Sequence, residues 1–140
     1  MARASGKETV ELLAPDALPQ ILGHANSGGV RATLLCNRDG ALLSQVQAES
    51  GPEVARTFAA AIVANMWTSY EANALGAVRA NELDCLLVEC EEGQLAVIKV
   101  GPALLLGMLA DKAMEVGLLK AKITALQRLL LDQRIDSLFQ

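Results

Sequence analysis

The sequence predicts a single α+β domain in which helices cover both faces of an antiparallel sheet. The apolar periods change along the chain in the order α-β-β-α-β-β-β-α. The segment 103–110, ALLLGMLA, is apolar throughout, which is typical of a strand that is covered on both faces. The segment 52–74 is rich in alanine and has its only proline in the first turn, which predicts a long helix.

The composition favours a subunit over an isolated monomer. A chain of 140 residues can form one domain with its own core. Its hydrophobic content is 52%, yet only 3% is aromatic, and an aliphatic surplus of this kind suits burial against another chain. The net charge of −4 and the absence of a basic run disfavour binding to nucleic acid or directly to a membrane surface.

Several features predict a cytoplasmic protein. The three cysteines are an odd number, and the N-terminus lacks the apolar core of a signal peptide, so we expect a reducing compartment. The Met-Ala start does not offer the N-terminal glycine that myristoylation requires. The longest apolar run, 103–110, is far shorter than the ~20 residues of a membrane span.

The N-terminal part is predicted to contain an arm followed by a short helix. Residues 1–14 are polar without a strong period and read as a flexible arm, while the domain proper covers 15–131. Helix one is expected over 16–25, with Asp16 as its cap and Pro19 in its first turn. Its predicted buried stripe consists of Leu18, Ile21, Leu22 and Ala25.

A hairpin is predicted after this helix. The glycines in the segment 26–29 accept positive φ angles and end the helix. Residues 30–37 alternate as a strand, Asp39-Gly40 forms the turn, and 41–47 returns.

The long helix 52–74 has an unusually wide apolar face. Its apolar and small residues fill an arc of roughly 220°, against the ~100° that an ordinary surface helix buries. One sheet face cannot cover that arc, so we expect a partner chain, although the sequence leaves open which side of the helix faces it. The helix residues predicted at the partner interface are Phe58, Ile62, Asn65, Met66, Trp67 and Tyr70.

The third strand, 83–91, is the second predicted interface element. Its alternation places Leu86, Val88 and Cys90 on one face. Its centre is short of charge, and an uncharged edge strand invites pairing with another chain. The strand residues predicted at the interface are Cys85, Leu86, Leu87, Val88 and Glu89.

The C-terminal half is predicted to contain two further strands and a helix. The turn Glu92-Gly93 leads into the strand 94–100, and Gly101-Pro102 separates it from 103–110. Helix three is expected from about Asp111, which would cap it, to Leu131, with the tail 132–140 extending the helix or docking on a partner. Its predicted core stripe consists of Val116, Leu119, Ile123, Leu126 and Leu130.

The residues that could carry chemistry are better explained by structural roles. His24 has no neighbouring nucleophile or second ligand. Cys85 and Cys90 fall on opposite faces of one strand, so they cannot share a metal ion. Residues 26–29 precede a strand and match neither phosphate-binding glycine pattern.

The charged candidates are predicted to be solvent-exposed. Glu89, Glu91 and Glu92 could ligate a divalent cation, but a solvated hairpin tip explains them better. Lys120 and Lys122 lie two apart on helix three and point in different directions, as expected of solvent-facing charges. No acid–base pair, catalytic triad or metal-ligand set emerges from the sequence.

The stretches 18–43 and 83–131 resemble the Roadblock/dynein light chain family, and within it most closely the Roadblock subunits of the Ragulator complex. The similarity covers almost all of residues 16–131 and leaves out the two ends. The residues that carry it are Ala25-Asn26, Gly28-Gly29-Val30, Asn65 with Trp67 and Tyr70, Cys90, Glu92-Gly93 and Leu119-Lys120-Ala121-Lys122.

This resemblance implies a three-layer α/β/α fold. The sheet would have five antiparallel strands in the order 2-1-5-4-3, with helix two on one face and helices one and three on the other. The strand around 83–90 would then lie at the edge. Family members dimerise by pairing this edge strand and packing their two long helices together.

The resemblance also implies a function. The chain would be a non-enzymatic adaptor, without cofactor or metal, that heterodimerises with a second Roadblock subunit. A lipid-anchored Ragulator subunit would hold the pair at late endosomes and lysosomes, where it presents Rag GTPases and MAP kinase components. The alternatives are a homodimeric regulator of a small GTPase, a dynein-type light chain, or a small enzyme with an unrecognised site.

Overall fold

The computed structural model describes residues 18–23, 26, 28–47, 56–77, 83–91 and 93–133, and within the long helix it describes side-chain burial for 60–73. The predicted arm 1–14, Asp16, His24, Ala25 and nearly all of the tail 132–140 lie outside the described residues. The elements are α1 (Leu18–Gly23), β1 (Val30–Asn37), β2 (Leu42–Gln47), α2 (Arg56–Ala77), β3 (Cys85–Glu89), β4 (Gly93–Val100), β5 (Leu104–Asp111) and α3 (Val116–Asp132).

The five strands form one antiparallel sheet in the order β2-β1-β5-β4-β3, which confirms the predicted fold class and strand order. β5 lies at the centre and pairs with β1 and β4. Six of its eight positions are buried, because helices cover both of its faces. The apolar run 103–110 therefore marks the middle of the sheet.

The helices form two outer layers. α1 and α3 cover one face, where Leu22, Leu106, Met108 and Ile123 are among the fully buried residues of the core. α2 covers the other face above a smaller core. That second core consists of Leu34, Cys36, Ala60, Val63, Ala64, Trp67, Leu86, Leu95, Val97 and Leu105.

The connection between α1 and β1 is fixed by glycines and by one asparagine. Gly28 and Gly29 have φ angles of 60° and 104°, a region that residues with a Cβ rarely adopt. The Asn26 amide donates to the Val46 carbonyl at 2.9 Å and accepts from the Thr33 hydroxyl at 2.8 Å. The positive φ angles expected of these glycines are confirmed, while their role as the cap of α1 stays a prediction, because residues 24, 25 and 27 lie outside the described residues.

The start of α3 differs from the prediction. Asp111 is the last residue of β5 and forms an ion pair with Arg31 instead of capping the helix. α3 begins at Val116, after Glu115 in an extended conformation. The side-chain amide of Gln94 in β4 donates to the carbonyl of Asp111, at 3.0 Å, and to that of Met114. These hydrogen bonds hold the connection between β5 and α3, and the helix starts one turn later than predicted.

Candidate functional site

β3 is one of the two edge strands of the sheet, and among the described residues it is paired only with β4. The backbone amide of Cys90 donates to the Gly93 carbonyl of the β4 side at 2.7 Å. Backbone groups of alternate residues point to opposite sides of a strand, so the amides and carbonyls of Leu86 and Val88 also face β4. Those of Cys85, Leu87 and Glu89 face outward and offer a second strand a ladder of hydrogen bonds.

The side chains of β3 are divided between the two faces as predicted. Cys85 and Leu87 pack against the core under α3, whereas Leu86 belongs to the core under α2 and Val88 packs against it. Leu86 is buried, Cys85, Leu87 and Val88 are half-buried, and Glu89 is exposed. The edge therefore combines an apolar centre with a charged end.

α2 buries a narrow stripe and leaves a large apolar surface uncovered. Ala60, Val63, Ala64 and Trp67 face the sheet. On the flank toward β3, by contrast, the side chains of Ile62 and Tyr70 are 38% and 52% exposed, and Met66 between them is half-buried. Residues at this spacing form one ridge along a helix, which we call the α2 ridge: Ile62, Met66 and Tyr70, with Asn65 exposed beside it.

The α2 ridge and β3 border a common groove. Ile62 and Met66 line one wall, and Val88, Cys90 and Leu95 line the other, around a volume of about 340 Å³. Exposed apolar surface that continues into an unpaired strand edge is typical of an interface with another chain. The predicted interface residues Ile62, Met66 and Val88 are thus brought together on one side of the molecule.

Two predicted interface residues are not part of the surface described above. Trp67 is fully buried in the subunit's own core under α2, so its ring is not available to a partner, contrary to the sequence interpretation. The side chain of Phe58 lies outside the described residues, and its place at the interface stays a prediction. Leu95, a groove-lining residue that the sequence interpretation missed, could have been found from the alternation of β4, which places it on the α2 side with Val97.

The described residues show no arrangement that is suited to metal binding or acid–base chemistry. No group of His, Cys, Asp and Glu side chains among them could hold a metal ion. Burial raises the pKa of the Cys36 thiol to about 12, so that thiol is an inert core group at neutral pH. Burial also raises the pKa of the Cys85 thiol; the Lys120 ammonium acts in the opposite direction, and Asp84 adds to the increase.

The remaining candidates have separate positions. Cys85 packs on the α3 side of the sheet while Cys90 lines the groove on the α2 side, which confirms that the two thiols lie on opposite faces. Glu89 and Glu91 are exposed, and Glu92 lies outside the described residues. None of the described helices is both long and apolar enough to cross a membrane.

The fold and this surface define a class of protein: a three-layer α/β/α domain in which the β3 edge, paired only with β4 among the described residues, lies beside the exposed α2 ridge. The Roadblock/LC7 domain family matches residues 20–110. A Caenorhabditis elegans protein described as a Ragulator complex protein LAMTOR2 homolog is 32% identical over 115 residues, covering 82% of this chain and 87% of the relative. The chain belongs to the Roadblock/LC7 family.

Solved structures agree on the fold. A structure of MglB in a tetrameric arrangement matches with a TM-score of 0.76 and 23% identity, over 87% of this chain and 90% of that one. The gliding protein MglB from Thermus thermophilus matches with a TM-score of 0.72 and 23% identity, over 83% of this chain and 85% of that one. At this level of identity the likeness concerns the arrangement of helices and strands.

Proposed function

We propose that this chain is a non-enzymatic adaptor subunit of a Ragulator-like complex, which heterodimerises with a second, different Roadblock subunit. One observation carries the proposal: the outward-facing backbone of β3 continues into the exposed α2 ridge, so that a strand and a helix of another chain can be accommodated together. The family membership and the 32% identity to a Ragulator subunit support it.

The proposed contacts use both elements. A partner strand would extend the sheet through the backbone of Cys85, Leu87 and Glu89. A partner helix would cover the α2 ridge, where Ile62 and Tyr70 still expose 38% and 52% of their side chains. The proposed interface comprises Ile62, Asn65, Met66, Tyr70, Cys85, Leu86, Leu87, Val88 and Glu89, with Phe58 as a further candidate, while Trp67 is assigned to the subunit's own core.

In the assembly we propose, the subunit contributes shape and no chemistry. A lipid-anchored Ragulator subunit would hold the pair on the cytosolic face of late endosomes and lysosomes. The pair would there present Rag GTPases for signalling to the mTOR complex, together with MAP kinase components. No cofactor or metal takes part in this role.

Co-expression tests the proposal. The chain is produced with the second Roadblock subunit and the lipid-anchored subunit of a Ragulator complex, and co-purification is measured for the wild type, Ile62→Glu and Thr68→Glu. Thr68 is exposed on the opposite flank of α2, so Thr68→Glu adds the same charge outside the interface. We expect capture with the wild type and Thr68→Glu and loss with Ile62→Glu; equal capture by all three would contradict the proposal.

A second candidate is a homodimeric Roadblock regulator of a small GTPase. The sequence of β3 favours it, because the apolar residues are arranged symmetrically about Leu87. Light scattering on the purified chain, followed by measurement of GTP hydrolysis with candidate small GTPases, separates the two. A stable homodimer that changes the hydrolysis rate supports this candidate over the heterodimeric adaptor.

A further inference from the structure

The C-terminal part of α2, residues 68–77, extends beyond the core that the helix covers. Among the α2 side chains that the structure describes, 60–73, Trp67 is the last one in that core. Of the described residues that follow it, only Glu71 is not exposed. Tyr70, the C-terminal residue of the α2 ridge, therefore lies on a segment that the core does not hold in place.

The sequence of this part does not strongly favour a helix by itself. Half of its residues are of types with a lower helix propensity than alanine, leucine or glutamate. These residues are Thr68, Ser69, Tyr70, Asn73 and Gly76. Because helices in proteins are stabilised mainly by tertiary packing, a segment of this composition needs a contact outside the helix to keep its position.

Arg38 supplies such a contact from the turn between β1 and β2. Its guanidinium forms an ion pair with Glu71 and also donates to the Pro102 carbonyl at 3.5 Å. The side chains of Arg38 and Glu71 are 32% and 21% exposed, so water and salt screen the pair less than one on the open surface. One side chain thereby connects α2, the β1–β2 turn and the β4–β5 turn.

The turn that carries this guanidinium is itself well fixed. The Asn37 side-chain oxygen accepts from the backbone amides of Asp39 and Ala41, at 2.9 Å and 3.0 Å. Gly40 lies so close to α2 that a Cβ there would come within 3.3 Å of the helix backbone. The ion pair therefore joins the end of α2 to a turn that already packs against the middle of the helix.

We propose that Arg38 is a positioning residue for the partner surface: through Glu71 it holds residues 68–77 of α2 in place and so determines where Tyr70 lies. The β1–β2 turn and β3 are at opposite sides of the sheet, so Arg38 acts from the flank of α2 that faces away from the ridge and does not itself contact a partner. The inference rests on the proposed function only in taking the α2 ridge as the interface.

Hydrogen exchange of the backbone amides in the free chain tests whether Arg38 holds the helix. Exchange is measured by mass spectrometry for the wild type, Arg38→Met, Glu71→Gln and the double variant Arg38→Glu/Glu71→Arg, which swaps the two charges. Arg38→Met keeps the apolar stem of the side chain and removes its charge. Arg128→Met makes the same change at an exposed position of α3, in the other helix layer, and serves as the matched control.

We expect residues 68–77 to exchange about 10-fold faster in Arg38→Met and Glu71→Gln, because a charged hydrogen bond that opposes local opening is lost. Residues 60–67 and the strands should exchange as in the wild type, whereas a general loss of stability would accelerate exchange throughout the chain. The charge-swapped variant should recover most of the protection. Unchanged exchange of 68–77 in both single variants, or an equal increase with Arg128→Met, would overturn the proposal.

Partner binding tests the consequence for the surface. The Kd for the second Roadblock subunit of a Ragulator complex is measured for the same variants. If residues 68–77 are in place in about a third of the Arg38→Met molecules, the Kd should weaken about 3-fold, since the partner binds only molecules whose surface is assembled. An unchanged Kd in a variant whose residues 68–77 exchange faster would overturn the positioning role.

These results are separable from a failure of the proposed function. A wild type that captures no second Roadblock subunit refutes the heterodimeric adaptor, and exchange in the free chain then decides whether Arg38 positions the end of α2. A chain that captures that subunit and loses it with Ile62→Glu, but is unaffected by Arg38→Met in both measurements, refutes the positioning role alone.

Discussion

Replacing Ile62 with glutamate separates binding from folding. The side chain is 38% exposed in the subunit, and full burial of an isoleucine stabilises by about 1.5–3 kcal/mol. Covering the remaining surface is therefore worth about 0.6–1.1 kcal/mol per subunit. A carboxylate at the same place adds a desolvation cost of several kcal/mol when a partner covers it.

Together these contributions predict a loss of at least about 3 kcal/mol in binding, which is more than about 100-fold in Kd. The free energy of unfolding of the subunit should change by less than about 1 kcal/mol, because Ile62 lies at the surface. Titration calorimetry with the second Roadblock subunit measures the first quantity and urea denaturation the second. Unchanged affinity in a folded Ile62→Glu variant would show that the α2 ridge is not an interface.

Three other predictions concern the core and the edge. Trp67→Ala should lower the free energy of unfolding, measured by urea denaturation, by about 3–5 kcal/mol. Trp67→Phe should lower it by less than about 1.5 kcal/mol, because it keeps most of the ring and removes a buried indole N–H that has no acceptor among the described residues. Leu87→Pro removes an outward N–H and should abolish pairing while thermal unfolding stays cooperative; Leu86→Pro, whose N–H faces β4, should unfold the subunit. The pKa of Cys36 is about 12 against an ordinary value of 9.0, so the folded chain keeps a proton that the unfolded chain loses. Stability should then fall as pH rises above about 9, by up to about 1.4 kcal/mol per pH unit, and Cys36→Ala should remove that dependence; a pH profile that is the same with and without Cys36 would contradict the assignment.

The sheet could be predicted because its centre has an unambiguous composition. A strand such as β5, which is apolar from Leu104 to Ala110, is expected between two helix layers. The turns at Gly28 and Gly40, with φ angles of 60° and 91°, were also marked by their glycines. The strand order itself came from the family resemblance, since periodicity does not say which strands are neighbours.

The orientation of α2 could not be predicted, for a reason that lies in the sheet beneath it. A Cβ on Gly107 would come within 3.1 Å of a Val63 methyl, and one on Gly40 within 3.3 Å of the Ala61 Cα. The helix therefore approaches the sheet closely, and the small Ala60 and Ala64 form much of the contact. Ranking positions by the size of their apolar side chains assigns these alanines to the outside, although the structure buries them.

The same close approach explains where the proposed interface lies. With alanines against the sheet, the large Ile62, Met66 and Tyr70 are left on the flank of α2, next to β3. An exposed edge strand with an apolar centre promotes indiscriminate pairing unless something restricts it. In β3 the exposed Asp84 and Glu89 stand on either side of the apolar centre, and charge on an edge strand is one device that restricts such pairing. The edge can then be both uncovered and selective, as the docking surface of a subunit must be.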